Sequence, residues 1–323
     1  MTPPELPACR WLDRTHIGDC RHLLRQMTES GISVQMCVTS PPYYRLRSYL
    51  PADHPDKALE LGAEETPAVF VARLVEVFRE VRNLLADNGT LWIVIGDTYA
   101  GTGKSGGGWQ GRRWYAHGAE TIGPRGGRWS PPPPGLKQKD LMGIPWMLAF
   151  ALRDDGWFLR QDIIWSKPNP MPESVTDRCT RSHEYLFLLA KQRRYYFDHE
   201  AIKEPSVDPR GPGNLRPVRV PPDERSSGPN ANLRGGLHRI GARQMRNKRD
   251  VWMIPNKPFH GAHFGVFPEK LVIPCILAGS REGDVVLDPF IGSGTTAAVA
   301  KRLNRRFIGC ELNPSFLELH RLR

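Results

Sequence analysis

The chain has 323 residues, 40% hydrophobic and 24% charged, enough to bury the core of one large domain with insertions or of two domains. No apolar run reaches the roughly 18 residues that cross a bilayer, and Met1 to Pro7 has neither the basic start nor the apolar core of a signal peptide, so a soluble, cytoplasmic protein is expected. The six cysteines contain no Cys-x-x-Cys pair, so no metal site or disulfide framework is indicated, while a net charge of +11 points to a polyanionic partner.

In chain order, Gly18-Asp19 comes first, and Asp19 is placed to cap a helix. Ser33 to Val38 is a short apolar run that reads as a buried strand. It runs into Thr39-Ser40-Pro41-Pro42-Tyr43-Tyr44, where two prolines fix φ and remove two backbone donors. Nearby carbonyls stay free to accept hydrogen bonds, and the tyrosines offer faces on which a planar base can stack. A plain Pro-rich turn with a hydrophobic anchor fits the same residues.

Ala68 to Leu85 has the periodicity of an amphipathic helix, and Gly89 to Ile95 reads as a buried strand. Asp97, just beyond that strand, is a candidate acid to polarise Ser40, or else a cap for the loop backbone. Residues 101–139 carry seven Lys or Arg against one Glu, with eleven Gly, and interleave Trp109, Trp114, Tyr115 and Trp129 with Arg112 and Arg113. Gly143 to Leu152 predicts a helix, and Gln161 to Trp165 and Tyr185 to Leu189 predict strands. Residues 201–250 are again basic, with eleven Lys or Arg against five acids, and rich in Pro and Gly. These two segments hold all of the net charge. They read as nucleic-acid-contacting insertions in a near-neutral body, or as solvated loops.

The C-terminal part alternates strand, helix and strand: Val285 to Leu287, Thr295 to Leu303, and Arg306 to Cys310. The fold class expected is therefore α/β. Asp288-Pro289-Phe290-Ile291-Gly292-Ser293-Gly294-Thr295 sits between strand and helix, where glycines let the backbone approach a ligand and the helix start favours an anion. Glu311 ends the following strand, placed to accept from a ribose diol. Gly292-x-Gly294-x-x-Ala297 also satisfies a dinucleotide pattern, so NAD is the competing cofactor. Gly103-Lys104-Ser105 hints at a phosphate loop, but that loop needs Gly where Thr98 stands.

The hexapeptide from Thr39 resembles the catalytic motif of DNA amino-methyltransferases, with the serine of the cytosine N(4) branch. Asp288-Pro289-Phe290 before the glycines resembles the S-adenosylmethionine loop of the same enzymes. The stretch His263 to Leu271 resembles their other cofactor element, with Phe264, Phe267 and Pro268 at the start of a helix, although core aromatics read the same way. Catalytic motif first and cofactor loop last is the order of the permuted β group. Ile164 to Ser174 and Ser182 to Leu189 match between them.

The resemblance implies a Rossmann-like S-adenosylmethionine-dependent methyltransferase sheet with basic loop insertions. Residues 1–200 would form the catalytic half, 201–250 the target-recognition region and 251–323 the cofactor half. S-adenosyl-L-methionine would lie against Asp19, Thr39, Phe264, Phe267, Pro268, Asp288, Pro289, Phe290, Gly292, Ser293, Gly294, Thr295 and Glu311, with Asp19 on the adenine and Asp288 near the methionine ammonium. Ser40 and the Pro41 carbonyl, supported by Pro42, would accept the amino hydrogens of a flipped cytosine stacked on Tyr43. Arg234, Arg239, Arg243, Arg246, Lys248 and Arg249, with Arg112 and Arg113, would contact double-stranded DNA. A cognate restriction endonuclease and a homodimer fit the same picture. The rival readings are adenine N(6) methylation, methylation of RNA or a protein glutamine, and a non-catalytic DNA-binding protein.

Overall fold

The computed structural model describes residues 10–101, 132–206, 244–256 and 267–322. Phe264, Arg112, Arg113, Arg234, Arg239 and Arg243 lie outside the described residues, as do the four aromatic residues singled out in the first basic segment. The chain divides into two compact units, one formed by Met1–Phe197 with Asp250–Arg323 and one by Asp198–Arg249.

In the larger unit the elements before the second basic segment are β1 (Arg14–Ile17), α1 (Cys20–Glu29), β2 (Val34–Thr39), α2 (Pro67–Leu84), β3 (Leu85–Ile95), α3 (Ile144–Asp154), β4 (Phe158–Ser166) and β5 (His183–Ala190). The smaller unit contributes β6 (Glu204–Pro205) and β7 (Met245–Arg246), an antiparallel pair. The larger unit resumes with β8 (Val251–Met253), α4 (Glu269–Gly279), β9 (Val285–Asp288), α5 (Thr295–Arg302) and β10 (Arg306–Glu311). One eight-stranded sheet results, in the order β1-β10-β9-β2-β3-β5-β4-β8. Its pairs are parallel except the two made by β5.

The central strands read as continuous apolar runs because they are covered on both faces. Met36, Cys37, Leu91, Ile95, Val286, Leu287, Ile308 and Cys310 are all fully buried. Helix α2 starts at an N-cap, Thr66, whose side chain accepts from Val69 N at 3.2 Å, with Pro67 in the first turn. It buries Phe70, Leu74, Val77, Phe78 and Val81 along one face, each worth about 1.5 to 3 kcal/mol for the larger side chains. On α4, a Cβ at Gly279 would come within 3.0 Å of Met36 Sδ, so glycine permits that close approach to β2. The edge strands β1 and β8 are only 4 and 3 residues long, and neither shows a clean apolar run.

Candidate active site

The sheet brings together two segments 249 positions apart. β2 lies between β9 and β3, pairing Cys37 with Leu287 on one side and Thr39 with Ile93 on the other. The turn after β2 and the glycine turn after β9 therefore leave the same edge of the sheet, the carboxyl edge where parallel α/β sheets bind ligands.

A cleft of about 1040 Å³, open to solvent, occupies that edge. It is lined by Asp19 from the start of α1, Ser40, Pro41, Pro42 and Tyr43 from the motif, Phe267 before α4, and Pro289, Phe290, Gly292, Ser293 and Thr295 from the glycine turn. Glu311 closes the wall at the end of β10. Asp19 doubles as the N-cap of α1, accepting Arg21 N at 3.0 Å and pairing with the Arg21 guanidinium at 2.9 Å. The helix-cap reading of Asp19 is thus met by a side chain that also lines the cleft.

Glu311 accepts the Gly292 N–H at 2.9 Å through Oε2 and the Asn313 N–H at 2.8 Å through Oε1. Burial raises its carboxyl to about 7, against the pull of those backbone donors. The Leu312 N–H acts on it as a third donor, which leaves an acceptor site for a ribose hydroxyl. At Gly294, φ is +81°, and a Cβ would lie 2.9 Å from the His320 ring. The residue is glycine both for its left-handed backbone and for that packing. Gly294 supports the cleft from behind, and Pro268 is buried as the N-cap of α4; neither lines it.

Asp288 departs from expectation. It is 1% exposed, does not line the cleft, and holds the sheet together from beneath the glycine turn. Thr39 Oγ1 donates to its Oδ1 and Thr296 Oγ1 to its Oδ2, each at 2.6 Å, and Phe290 N donates to Oδ1 at 3.1 Å. Burial raises its carboxyl to about 6, with these donors partly offsetting the shift. Thr39 is likewise fully buried. A carboxylate so enclosed crosslinks β2 to β9.

Asp97 is also corrected. Its Oδ1 accepts Thr98 N at 2.9 Å and Ile144 N at 3.0 Å, and its Oδ2 accepts Gly143 N at 3.1 Å. Two backbone donors at the start of α3 and the N–H of its own neighbour Thr98 occupy it, and it does not line the cleft with Ser40. Gly143 N and Ile144 N belong to the first, unbonded N–H groups of the helix, which a carboxylate satisfies well. The polarising role assigned to it is not supported.

The acid that contacts the motif is Glu184 on β5. Tyr43 Oη donates to Glu184 Oε2 at 2.5 Å, Lys167 Nζ holds Glu184 Oε1, and Lys167 Nζ lies 4.2 Å from the centre of the Trp165 ring. The Ser40 hydroxyl acts on the same phenol and draws its pKa down, against larger effects that raise it. Burial above all, and then the Glu184 charge, push the Tyr43 phenol well above its ordinary range. Glu184 and Lys167 fall within the stretches Ser182 to Leu189 and Ile164 to Ser174, where no motif marks either as functional. The one signal was a pair of opposite charges, each at the end of an apolar strand.

Arg47 and Tyr49, on the segment after the motif, also line the cleft and were not singled out. Of the arginines expected on DNA, Arg246 and Arg249 each donate through Nε to Glu204 Oε1 at 2.9 Å within the smaller unit. Although burial opposes it, those two bonds hold the Glu204 carboxyl below its usual range. Lys248 belongs to the same short described stretch. Among the described residues, no group of three His, Cys, Asp or Glu could hold a metal ion, and no helix is long and apolar enough to cross a membrane.

One atom tests whether the cleft suits a nucleoside cofactor. Thr295 Oγ1 is buried, lines the cleft and has no hydrogen-bond partner from the protein. An unsatisfied buried hydroxyl costs about 1 to 3 kcal/mol, which a polar ligand recovers. With Asp19 and Glu311 as acceptors and Phe267 and Phe290 as apolar walls, the residues fit S-adenosylmethionine.

The family model described as DNA methylase matches residues 34–321. Type II methyltransferase M.Cfr9I of Citrobacter freundii is 43% identical over 303 residues, covering 94% of this chain and 84% of that protein. Type II methyltransferase M.SmaI of Serratia marcescens is 43% identical over 307 residues, covering 95% and 89%. Among solved structures, the PvuII DNA methyltransferase (cytosine-N4-specific) superposes with a TM-score of 0.58 at 17% identity, covering 96% of this chain and 87% of that one. The M1.HpyAVI-SAM complex gives 0.54 at 17% identity, covering 96% and 98%. At such identities the structural likeness establishes the fold, while the sequence match over most of the chain establishes the family. The chain belongs to the S-adenosylmethionine-dependent DNA methylases of the N6/N4 type.

Proposed function

We propose that this protein methylates the exocyclic N4 amino group of cytosine at a specific site in duplex DNA, after flipping the base from the helix. The observation that carries the reading is the meeting of Ser40, Tyr43 and the glycine turn in one cleft. Serine at the motif's first position, and the cytosine-N4-specific name of the PvuII enzyme, support cytosine over adenine. The type II names of the relatives support a role as the modification partner of a restriction endonuclease.

When bound, the cofactor supplies an electrophilic methyl on sulfonium. The amino nitrogen of cytosine is a poor nucleophile because its lone pair is delocalised into the ring. Ser40 Oγ and the Pro41 carbonyl accept its two hydrogens, which favours a pyramidal nitrogen and holds it in line for transfer. Tyr43 offers its ring to the flipped base, at a stacking gain of about 1 to 3 kcal/mol against a flipping cost of a few. Asp19 and Glu311 hold the two ends of the adenosine. Residues 1–200 and 251–323 act as the two halves of the catalytic domain. Residues 201–250 read the DNA site, which the separateness of the unit Asp198–Arg249 supports.

Methylation of mixed-sequence duplex DNA with labelled cofactor, followed by nucleoside mass analysis and mapping of modified positions, tests this. N4-methyldeoxycytidine at one recurring site is the expected product. N6-methyldeoxyadenosine as the product overturns the base assignment.

A further inference from the structure

We infer that Glu184, anchored by Lys167, is the positioning residue that makes Ser40 an acceptor for the target amino group; the inference rests on the role given to Ser40 above. A hydroxyl has one hydrogen and two lone-pair sites, so it is held as an acceptor for an amino group when its own hydrogen is committed elsewhere. Tyr43 supplies that commitment. Its hydrogen goes to Glu184 Oε2 at 2.5 Å, which leaves the phenol oxygen as an acceptor. Ser40 lines the cleft beside Tyr43 and acts on that phenol in the sense of a donor, drawing its pKa down against the larger raising effects. With the phenol hydrogen spent on Glu184, Ser40 donates to Tyr43 and turns its lone pairs to the cleft.

The anchoring is rigid. Lys167 holds the second oxygen of Glu184, and the two side chains are only 15% and 18% exposed, so their attraction is weakly screened. The register places Glu184 opposite Trp165, and the Trp165 ring in turn carries the Lys167 ammonium. A Cβ at Gly96 would fall 2.7 Å from Tyr43 Cε2 and 3.4 Å from Glu184 Cγ, so the end of β3 has glycine where the phenol and the carboxylate converge. Arg47 and Tyr49 are the other titratable groups acting on or beside Tyr43. Asp97, engaged by three backbone donors, does not compete for Ser40.

The test measures single-turnover methyl transfer at saturating DNA and cofactor for Glu184→Gln, Tyr43→Phe, the double variant and Glu184→Asp. Calorimetric binding of S-adenosylhomocysteine and thermal melting report on folding. Glu184→Gln and Tyr43→Phe should each slow transfer on the order of 10²-fold with cofactor-product binding unchanged. The double variant should be no slower than Tyr43→Phe, because both act through one hydrogen bond. Glu184→Asp should recover part of the rate. Transfer by Glu184→Gln at the wild-type rate, or single effects that multiply in the double variant, overturns the inference. If Glu184→Gln does not fold, Lys167→Met, which leaves Glu184 on Tyr43 but unanchored, must slow transfer, and an unchanged rate overturns the inference equally. Wild-type transfer by Ser40→Ala defeats instead the reading of Ser40 itself.

Discussion

Asp288→Asn should stabilise the cofactor-free protein more the higher the pH. The folded carboxyl is raised from 3.8 to about 6 by burial, so the native state holds its proton more tightly than the unfolded chain does. Such a group favours folding most below the unfolded value, and that advantage is lost as pH rises through the folded one. The full cost of ionising it in place is about 3 kcal/mol, of which roughly 2 kcal/mol develops between pH 4.5 and 8. Asparagine fits the same site. Its carbonyl takes the place of Oδ1, accepting from Thr39 and Phe290, while its amide donates to Thr296 Oγ1, whose hydrogen turns to Val38 O at 3.5 Å. Urea unfolding of both proteins at pH 4.5 and 8 measures the effect. The Asp288 charge also raises the Glu311 carboxyl, so its loss in the variant relieves a repulsion at high pH and adds to the difference in the same direction. A stability difference that is the same at both pH values, or that moves toward the wild type at pH 8, refutes the reasoning.

Asp97→Ala removes the acceptor for two N–H groups at the start of α3 and for Thr98 N, and should cost about 1 to 2 kcal/mol of stability, read as a lowered melting temperature. Single-turnover transfer should stay near wild type, and a large rate loss with unchanged melting would restore a catalytic role. Gly96→Ala should do the reverse, slowing transfer at least tenfold by displacing the Tyr43 ring, with binding of S-adenosylhomocysteine retained. Glu311→Ala, which frees Gly292 N and Asn313 N, should weaken that binding about tenfold, or roughly 1.4 kcal/mol, by calorimetry.

The sheet was legible wherever burial leaves a mark on composition. The run at 33 to 38 became β2 over Val34–Thr39, and the helix expected at 68 to 85 became α2 over Pro67–Leu84. Both are apolar at the spacing their neighbours demand. β1 and β8 escaped because short edge strands bury little, and two of the three residues of β8 are exposed. The meeting of the motif with the glycine turn was legible through the order of motifs. The second partners of single side chains were not. Asp97 finds its donors at 143 and 144, and Glu184 finds Tyr43 141 positions away, contacts that only strand order can arrange. For Asp288, sequence gave the residue but not its depth, since the Thr39 and Thr296 hydroxyls that enclose it come from opposite ends of the chain.

The place of β2 between β3 and β9 also bears on how the protein is made. β3 leaves the ribosome soon after β2, but β9 follows about 250 residues later, which at 5 to 20 residues per second is about 10 to 50 s. Through that interval β2 has an unpaired edge of alternating N–H and C=O groups flanked by apolar side chains, the kind of surface that recruits strands from other chains. Ribosome-bound holdases or faster translation should therefore raise the soluble yield more for this strand order than for one in which the cofactor strands are synthesised first.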